Sequence, residues 1–282
     1  MQSSTIYDSL AWASGEIASQ TAKLDAEVIL SYVLDKSRSF LFAWPDHILT
    51  DEQQCEFGFL IHERARGKPV AYLVGEQEFW SLPLKVSNNV LVPRPETEDM
   101  LRAIFDTFAG NDELDVIDVG TGSGAIALVM ASERSAWNVM AVDISPDALA
   151  IASENASKLG FDINFLHSDL LASVSDKKFD LIVSNPPYIA ENDPHLSALR
   201  YEPKLALVAG ADGLCVIRPL LDQAFSCLKN GGYLFVEHGY EQGLAVRDLF
   251  ILAGFDQVVI GKDLAGQDRF TFGIKSLESA NE

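Results

Sequence analysis

Leu114-Asp115-Val116-Ile117-Asp118-Val119 runs straight into Gly120-Thr121-Gly122-Ser123-Gly124, and residues 125–133 follow as an apolar, helix-forming stretch. A short β-branched run, then glycines, then a helix reads as the strand–turn–helix unit of an open α/β sheet. Glycine allows a tight turn and close approach of backbone to a ligand, and a helix start offers free N–H groups.

The pattern repeats toward the C-terminus. Residues 139–142 predict a strand ending in Asp143. Ser145-Pro146 opens a helix that Gly160 closes. Strands are expected at 163–166 and 179–184. A helix is expected at 214–229, stopped by Asn230-Gly231-Gly232, then a strand at 233–237 and a helix to about Ala253. Two last strands, 257–260 and 269–274, form a hairpin, and residues 276–282 are expected to fray. Strands alternating with helices predict a doubly wound, mostly parallel sheet, with an antiparallel strand contributed by the hairpin.

Toward the N-terminus the texture differs. Residues 1–75 read as a small helical bundle: Ala26, Ile29, Leu30 and Val33 share a helical stripe, and Thr50-Asp51-Glu52-Gln53 is a capping box. The aromatics of Ser39-Phe40-Leu41-Phe42-Ala43-Trp44-Pro45 are expected in the bundle core. Residues 78–86 and 90–92 predict two strands joined at Ser87-Asn88-Asn89. The expected organisation is a helical domain at 1–75, a β-hairpin linker at 76–92 and a catalytic α/β domain at 93–282.

Asn185-Pro186-Pro187-Tyr188 follows the strand at 179–184. Two prolines stop the ladder and stiffen the loop, and a residue before proline is pushed into an extended conformation. Such a loop aims one amide and one or two free carbonyls from a strand end, with an aromatic wall beside them. It suits a planar NH2 group. Asp143 ends a strand where its carboxylate can accept from both hydroxyls of a ribose, and Asp169 with Leu170 is placed for an adenine amine and ring. The Gly120-x-Gly122-x-x-Ala125 pattern also fits a pyrophosphate-binding turn, which keeps a nicotinamide dehydrogenase open. Asp118 before the glycines opposes a pyrophosphate and suits a cationic amino-acid ligand. A dehydrogenase also has no use for the Asn-Pro-Pro-Tyr loop.

Composition narrows the class. With 21 Lys+Arg against 41 Asp+Glu the net charge is −20, which disfavours binding to phosphate backbones. No apolar run reaches the roughly 20 residues of a membrane span. The first residues lack a basic and apolar signal pattern, so a cytoplasmic location is expected. Three scattered cysteines (Cys55, Cys215 and Cys227) give no disulfide or zinc framework, Cys215 and Cys227 being expected in one helix, and no metal is expected.

The set Asp118 to Gly124, Asp143, Asp169 and Asn185 to Tyr188 resembles the class I methyltransferases that use S-adenosylmethionine. Gly67-Lys68-Pro69-Val70-Ala71-Tyr72-Leu73, Glu78-Phe79-Trp80, Pro93-Arg94-Pro95-Glu96-Thr97-Glu98, Glu202-Pro203-Lys204-Leu205-Ala206-Leu207 and Glu237-His238-Gly239 further resemble the bacterial glutamine N5-methyltransferases of peptide chain release factors. The likeness spans nearly the whole chain.

The resemblance implies a seven-stranded sheet and methylation of the glutamine in the Gly-Gly-Gln motif of class I release factors. The enzyme would be a monomer with no direct nucleic-acid or membrane partner. It implies cofactor contacts at Gly120, Thr121, Gly122, Ser123, Gly124, Asp143, Asp169, Leu170 and Asn185. It implies substrate contacts at Asn185, Pro186, Pro187 and Tyr188, with Asn185, Pro186 and Tyr188 catalytic. Leu170 departs from the large aromatic often found there and gives up ring stacking. The loop at 185–188 alone fits an adenine amine equally well, so a DNA or RNA amine methyltransferase stays open, as does a non-catalytic adaptor.

Overall fold

The computed structural model describes residues 4–110 and 112–276; of the tail expected to fray, residues 277–282 lie outside it. By internal contacts the chain divides into Met1–Glu76 and Gln77–Glu282.

The first unit holds α1 (Ile6–Glu16), α2 (Ala22–Leu34), α3 (Arg38–Ala43), α4 (Asp51–Ala65) and α5 (Val70–Val74). The capping box forms: Gln53 N donates to Thr50 Oγ1 at 3.2 Å and Thr50 N to Gln53 Oε1 at 2.9 Å. Ile6, Ile29, Leu30, Leu41, Phe57 and Ile61 build its core. The aromatics expected there are displaced. Successive helical side chains point about 100° apart, so with Leu41 turned inward, Phe40 is half-buried and Phe42 and Trp44 stand 59% and 61% exposed.

The second unit opens with a hairpin of β1 (Glu76–Phe79) and β2 (Leu82–Lys85). It turns at Trp80 and Ser81, both at positive φ (51° and 62°), where Ser87-Asn88-Asn89 was expected. Two positive φ values match the twist of a tight hairpin. Residues 90–92 form no strand; Val90 and Val92 are buried outside any ladder.

Then follow α6 (Pro95–Thr107), β3 (Asp115–Val119), α7 (Ala125–Glu133), β4 (Asn138–Asp143), α8 (Pro146–Leu159), β5 (Asn164–His167), β6 (Phe179–Ser184), α9 (Ile217–Cys227), β7 (Leu228–Glu237), α10 (Gly243–Leu252), β8 (Asp256–Lys262) and β9 (Asp268–Ile274). Helix α9 is shorter than expected, and Cys215 lies before it. Asn230-Gly231-Gly232 is taken into β7 as an irregularity against β6, with Gly231 at φ 83°, rather than separating helix from strand.

The seven strands order as β5-β4-β3-β6-β7-β9-β8, with β9 antiparallel between β7 and β8. Strand side chains alternate between faces. Val116, Leu181, Val183 and Phe235 enter one core with Met100 and Leu101 of α6 and Leu128 of α7. Ile117, Ile182, Leu234 and Val236 enter the other with Leu220 of α9 and Val246 and Phe250 of α10. Helices thus cover both faces of an almost continuously apolar parallel sheet, as such sheets require.

Candidate active site

The order reverses at β3, whose neighbours are β4 and β6. Ligands bind at such a switch point, beyond the C-terminal strand ends. Register brings those ends level: Val119 pairs with Val142 and Ser184, and Ser184 pairs with Val236. The Ser184 hydroxyl donates to the Val119 carbonyl at 2.7 Å, tying two of the ends together. A cavity of about 350 Å³ opens there, within the usual range for small-ligand sites.

Gly120 to Ser123, Asp143, Ser168 to Leu170 and Asn185 to Pro187 line this cavity. Gly120 and Gly122 adopt φ 76° and 59°, and a Cβ on either would project into open space. Gly124, at φ 85°, does something else: a Cβ there would stand 3.1 Å from Leu128 and 3.2 Å from Ala152, so glycine lets α7 and α8 close on the turn. The turn's amides are largely committed within the protein. Gly120 N and Thr121 N donate to the Val142 carbonyl, and Gly124 N donates to the Thr121 carbonyl. Gly122 N donates to Asp143 Oδ2 at 2.9 Å, and Ser145 N to Asp143 Oδ1 at 2.8 Å. Asp143 is thereby aimed by two backbone donors while each oxygen keeps a lone pair for a ligand hydroxyl. Burial pushes its pKa up, against those hydrogen bonds.

Asp118 corrects an expectation. It lies wholly buried beneath the turn instead of facing the cavity. Its Oδ2 accepts from Thr121 Oγ1 at 2.6 Å and from Ala127 N at 3.3 Å, and its Oδ1 is buried without a partner among the described residues. Burial raises its pKa to about 7. Asp169 is exposed at the cavity rim beside half-buried Leu170, which holds positive φ (50°).

Around the proline loop the sequence reading quoted Arg94, Thr97, Glu98, Glu202 and Glu237 within motifs but gave them no partners. Asn185 Nδ2 donates to Thr97 Oγ1 at 3.3 Å, and Thr97 Oγ1 donates to Glu237 Oε2 at 2.6 Å. Tyr188 is not a wall of the cavity. Its ring packs against the core on the α9 and α10 side, and its hydroxyl donates to Glu237 Oε1 at 3.4 Å. Burial, then the Glu237 charge, raises the Tyr188 pKa, so it stays a phenol. Its carbonyl accepts from Gln242 Nε2 at 3.0 Å. Arg94 lines the cavity and is paired with buried Glu202, which also accepts from Val92 N at 3.2 Å. Glu98 caps the hairpin turn, accepting from Trp80 N at 3.0 Å. In α8, Asn155 binds both main-chain groups of Lys85 and donates to the Ser123 carbonyl at 2.9 Å, so the hairpin braces the glycine turn. Motif spacing shows none of these partners, because each comes from a distant segment.

The donor set fits S-adenosylmethionine. Open space over Gly120 and Gly122 leaves room for an amino-acid moiety, Asp143 offers acceptors for ribose hydroxyls, and Asp169 with Leu170 offers an acceptor and an apolar edge for adenine.

Comparison with known proteins is consistent with this geometry. Residues 99–201 match the methyltransferase small domain, and residues 8–75 match the PrmC N-terminal domain. A release factor glutamine methyltransferase of Vibrio cholerae is 46% identical over 259 residues, covering 90% of each chain. Those of Escherichia coli (42%; 91% of this chain, 93% of that one) and Shewanella oneidensis (42%; 96% of each) are similar. Among solved structures, a methyltransferase from Pyrococcus furiosus is 19% identical with a TM-score of 0.52, covering 81% of this chain and 100% of that one. The hMettl16 catalytic domain is 14% identical with a TM-score of 0.60, covering 89% and 92%. These two share the fold. The long, high-identity matches decide the family: the chain belongs to the release factor glutamine methyltransferases, on a class I methyltransferase fold.

Proposed function

We propose that this protein transfers a methyl group from S-adenosylmethionine to the side-chain amide nitrogen of the glutamine in the Gly-Gly-Gln motif of class I release factors, in the cytoplasm and as a monomer. The observation that carries the reading is the placement of Asn185 and Pro186 on the wall of the same cavity as Gly120, Gly122 and Asp143.

Bound S-adenosylmethionine would supply an electrophilic methyl group on a sulfonium; Gly120 to Ser123, Asp143, Asp169 and Leu170 would hold it. An amide nitrogen is a weak nucleophile because its lone pair is delocalised into the carbonyl. Asn185 Oδ1 and the Pro186 carbonyl accept the two N–H groups and aim the nitrogen. They also stabilise positive charge as it develops there, the kind of fixed-dipole effect that dominates many active sites. Orientation of this kind supplies on the order of 7 kcal/mol at its most favourable. The nitrogen gains the methyl group as the methyl–sulfur bond breaks with its electron pair left on sulfur, so that S-adenosylhomocysteine would be the leaving product. The nitrogen loses a proton to solvent, since a protonated N-alkyl amide is strongly acidic and no strong base is required. Pro187 stiffens the loop, and Tyr188 acts through Glu237 rather than on the substrate. The first unit is assigned to release-factor recognition, a reading supported by the exposed aromatics Tyr7, Trp12, Phe42, Trp44 and Phe59 on its surface.

The test is incubation with methyl-labelled S-adenosylmethionine and release factor, DNA, RNA or no acceptor. Label on the Gly-Gly-Gln glutamine, lost in Asn185→Ala while cofactor affinity stays near that of the parent, is expected. Label on nucleic acid, or near-parental turnover by Asn185→Ala, refutes the reading.

A further inference from the structure

The side-chain amide of Asn185 has two orientations, and only one presents its oxygen to a substrate N–H. Which one obtains is set by hydrogen-bond partners. Among the described residues the partner is Thr97 Oγ1, at 3.3 Å from Nδ2. A threonine hydroxyl has one proton, and Thr97 gives it to Glu237 Oε2 at 2.6 Å. With that proton committed, Thr97 Oγ1 can only accept, so the Asn185 NH2 must face it and Oδ1 must face away. Tyr188, donating to the other carboxylate oxygen, holds Glu237 in place.

We propose that Glu237, acting through Thr97, is a positioning residue that locks the Asn185 amide with its oxygen toward the substrate nitrogen. The inference rests on the amide-methylation reading of this site. It makes methyl transfer depend on the carboxylate form of Glu237. A proton taken up from solvent by Glu237 turns it into a donor to Thr97 Oγ1. The Thr97 proton then swings to Asn185, whose amide rotates and presents NH2 to the substrate NH2. Two donors meet, and the glutamine is no longer held.

The surroundings place this titration within reach. Glu237 is 1% exposed at the end of β7, and burial raises its pKa to about 7. Glu96 adds to the rise. Arg269, occupied by Asp263, opposes it, and the Tyr188 hydroxyl opposes it by hydrogen bonding. The Arg94 charge opposes the rise at Tyr188.

The experiment uses the full chain with S-adenosylmethionine and release factor, and reads the single-turnover methylation rate against pH. Wild type is expected to lose rate as pH falls through the Glu237 titration. Thr97→Val, isosteric but without a hydroxyl, is expected to be slower by roughly tenfold or more, consistent with a loosened near-attack geometry. Its cofactor affinity by calorimetry is expected to be unchanged and its acid limb absent. Thr97→Ser restores both rate and limb. A Thr97→Val rate equal to wild type, or one that keeps the acid limb, overturns the relay. A readout without activity stands beside it: in ¹⁵N-labelled wild type, the Asn185 side-chain amide resonance is expected to follow the Glu237 titration. A pH-silent resonance overturns the relay even if Thr97→Val does not fold. A wild type that transfers no methyl to glutamine, yet shows this coupled titration, overturns the functional reading alone.

Discussion

Gly213 lies against the main chain of Tyr188: a Cβ on Gly213 would stand 2.3 Å from the Tyr188 carbonyl oxygen and 2.7 Å from Gln242 Nε2. Gly213 also holds φ 74°, where a side chain is strained. The proline loop therefore rests on a surface with no space for a methyl group. Gly213→Ala is expected to push the loop off its position. The methylation rate falls by roughly 10²-fold, the cost of about 1 Å of misplacement. Calorimetry is expected to show cofactor affinity little changed, because Gly120 to Gly124 and Asp143 are not disturbed. A variant with parental rate would show that the loop is not positioned from this side.

Asp143 makes an opposite prediction. Its carboxylate is held by Gly122 N and Ser145 N. Asp143→Ala removes the acceptor proposed for the ribose hydroxyls and leaves both amides without their partner. Hydrogen bonds to a charged group contribute about 1.5–3 kcal/mol, so the cofactor Kd is expected to rise by roughly 10- to 100-fold. A melting curve should show lost stability even without cofactor. Asp143→Asn, which can still accept from one of the two amides, should fall between.

Asp118 gives a pH prediction. Its ordinary pKa of 3.8 is raised to about 7 in the folded chain by burial. Between those values the folded state binds more protons than the unfolded one, so stability is greatest below pH 4 for this group. It is lost as pH rises toward 7. The full loss is on the order of 4 kcal/mol, an upper bound from the size of the shift. Glu237 contributes in the same direction, from 4.5 to about 7. In Asp118→Asn the difference in Tm between pH 5 and pH 8 should shrink relative to wild type; an unchanged difference would remove Asp118 as the cause.

Phe42 and Trp44 bury little of themselves in the first unit, so replacing both with serine should leave Tm nearly unchanged. If that surface recognises the release factor, the double variant raises KM for the intact factor. Its rate on a short Gly-Gly-Gln peptide stays at the parental value. Equal effects on protein and peptide would remove this surface from recognition.

The sheet, its strand ends and the residues at those ends were legible from residue patterns. Residues 114–124 determine a strand–turn–helix because β-branched runs, glycines and helix formers act over a few residues. Asp143 and Asn185 terminate strands by the same local logic, and a doubly wound sheet places such ends together. A hairpin was legible in residues 76–92, but the position of its turn and the extent of β7 were not. Positive φ at Trp80 and Ser81 carries no glycine signal, and a ladder absorbed Gly231 and Gly232 that local chemistry reads as a stop. Exposure of Phe42 and Trp44 was hidden for a related reason: which side of a short helix faces inward depends on its neighbours.

Around Asn185-Pro186-Pro187-Tyr188 the division is sharpest. The sequence by itself determined a stiff loop with an amide at a strand end, since proline geometry is intrinsic to the residue. Only the tertiary structure decided which way that amide points and where the tyrosine goes. Thr97 is 88 residues away and Glu237 is 49 residues beyond Tyr188, and a hydrogen bond is specified by position in space, not along the chain.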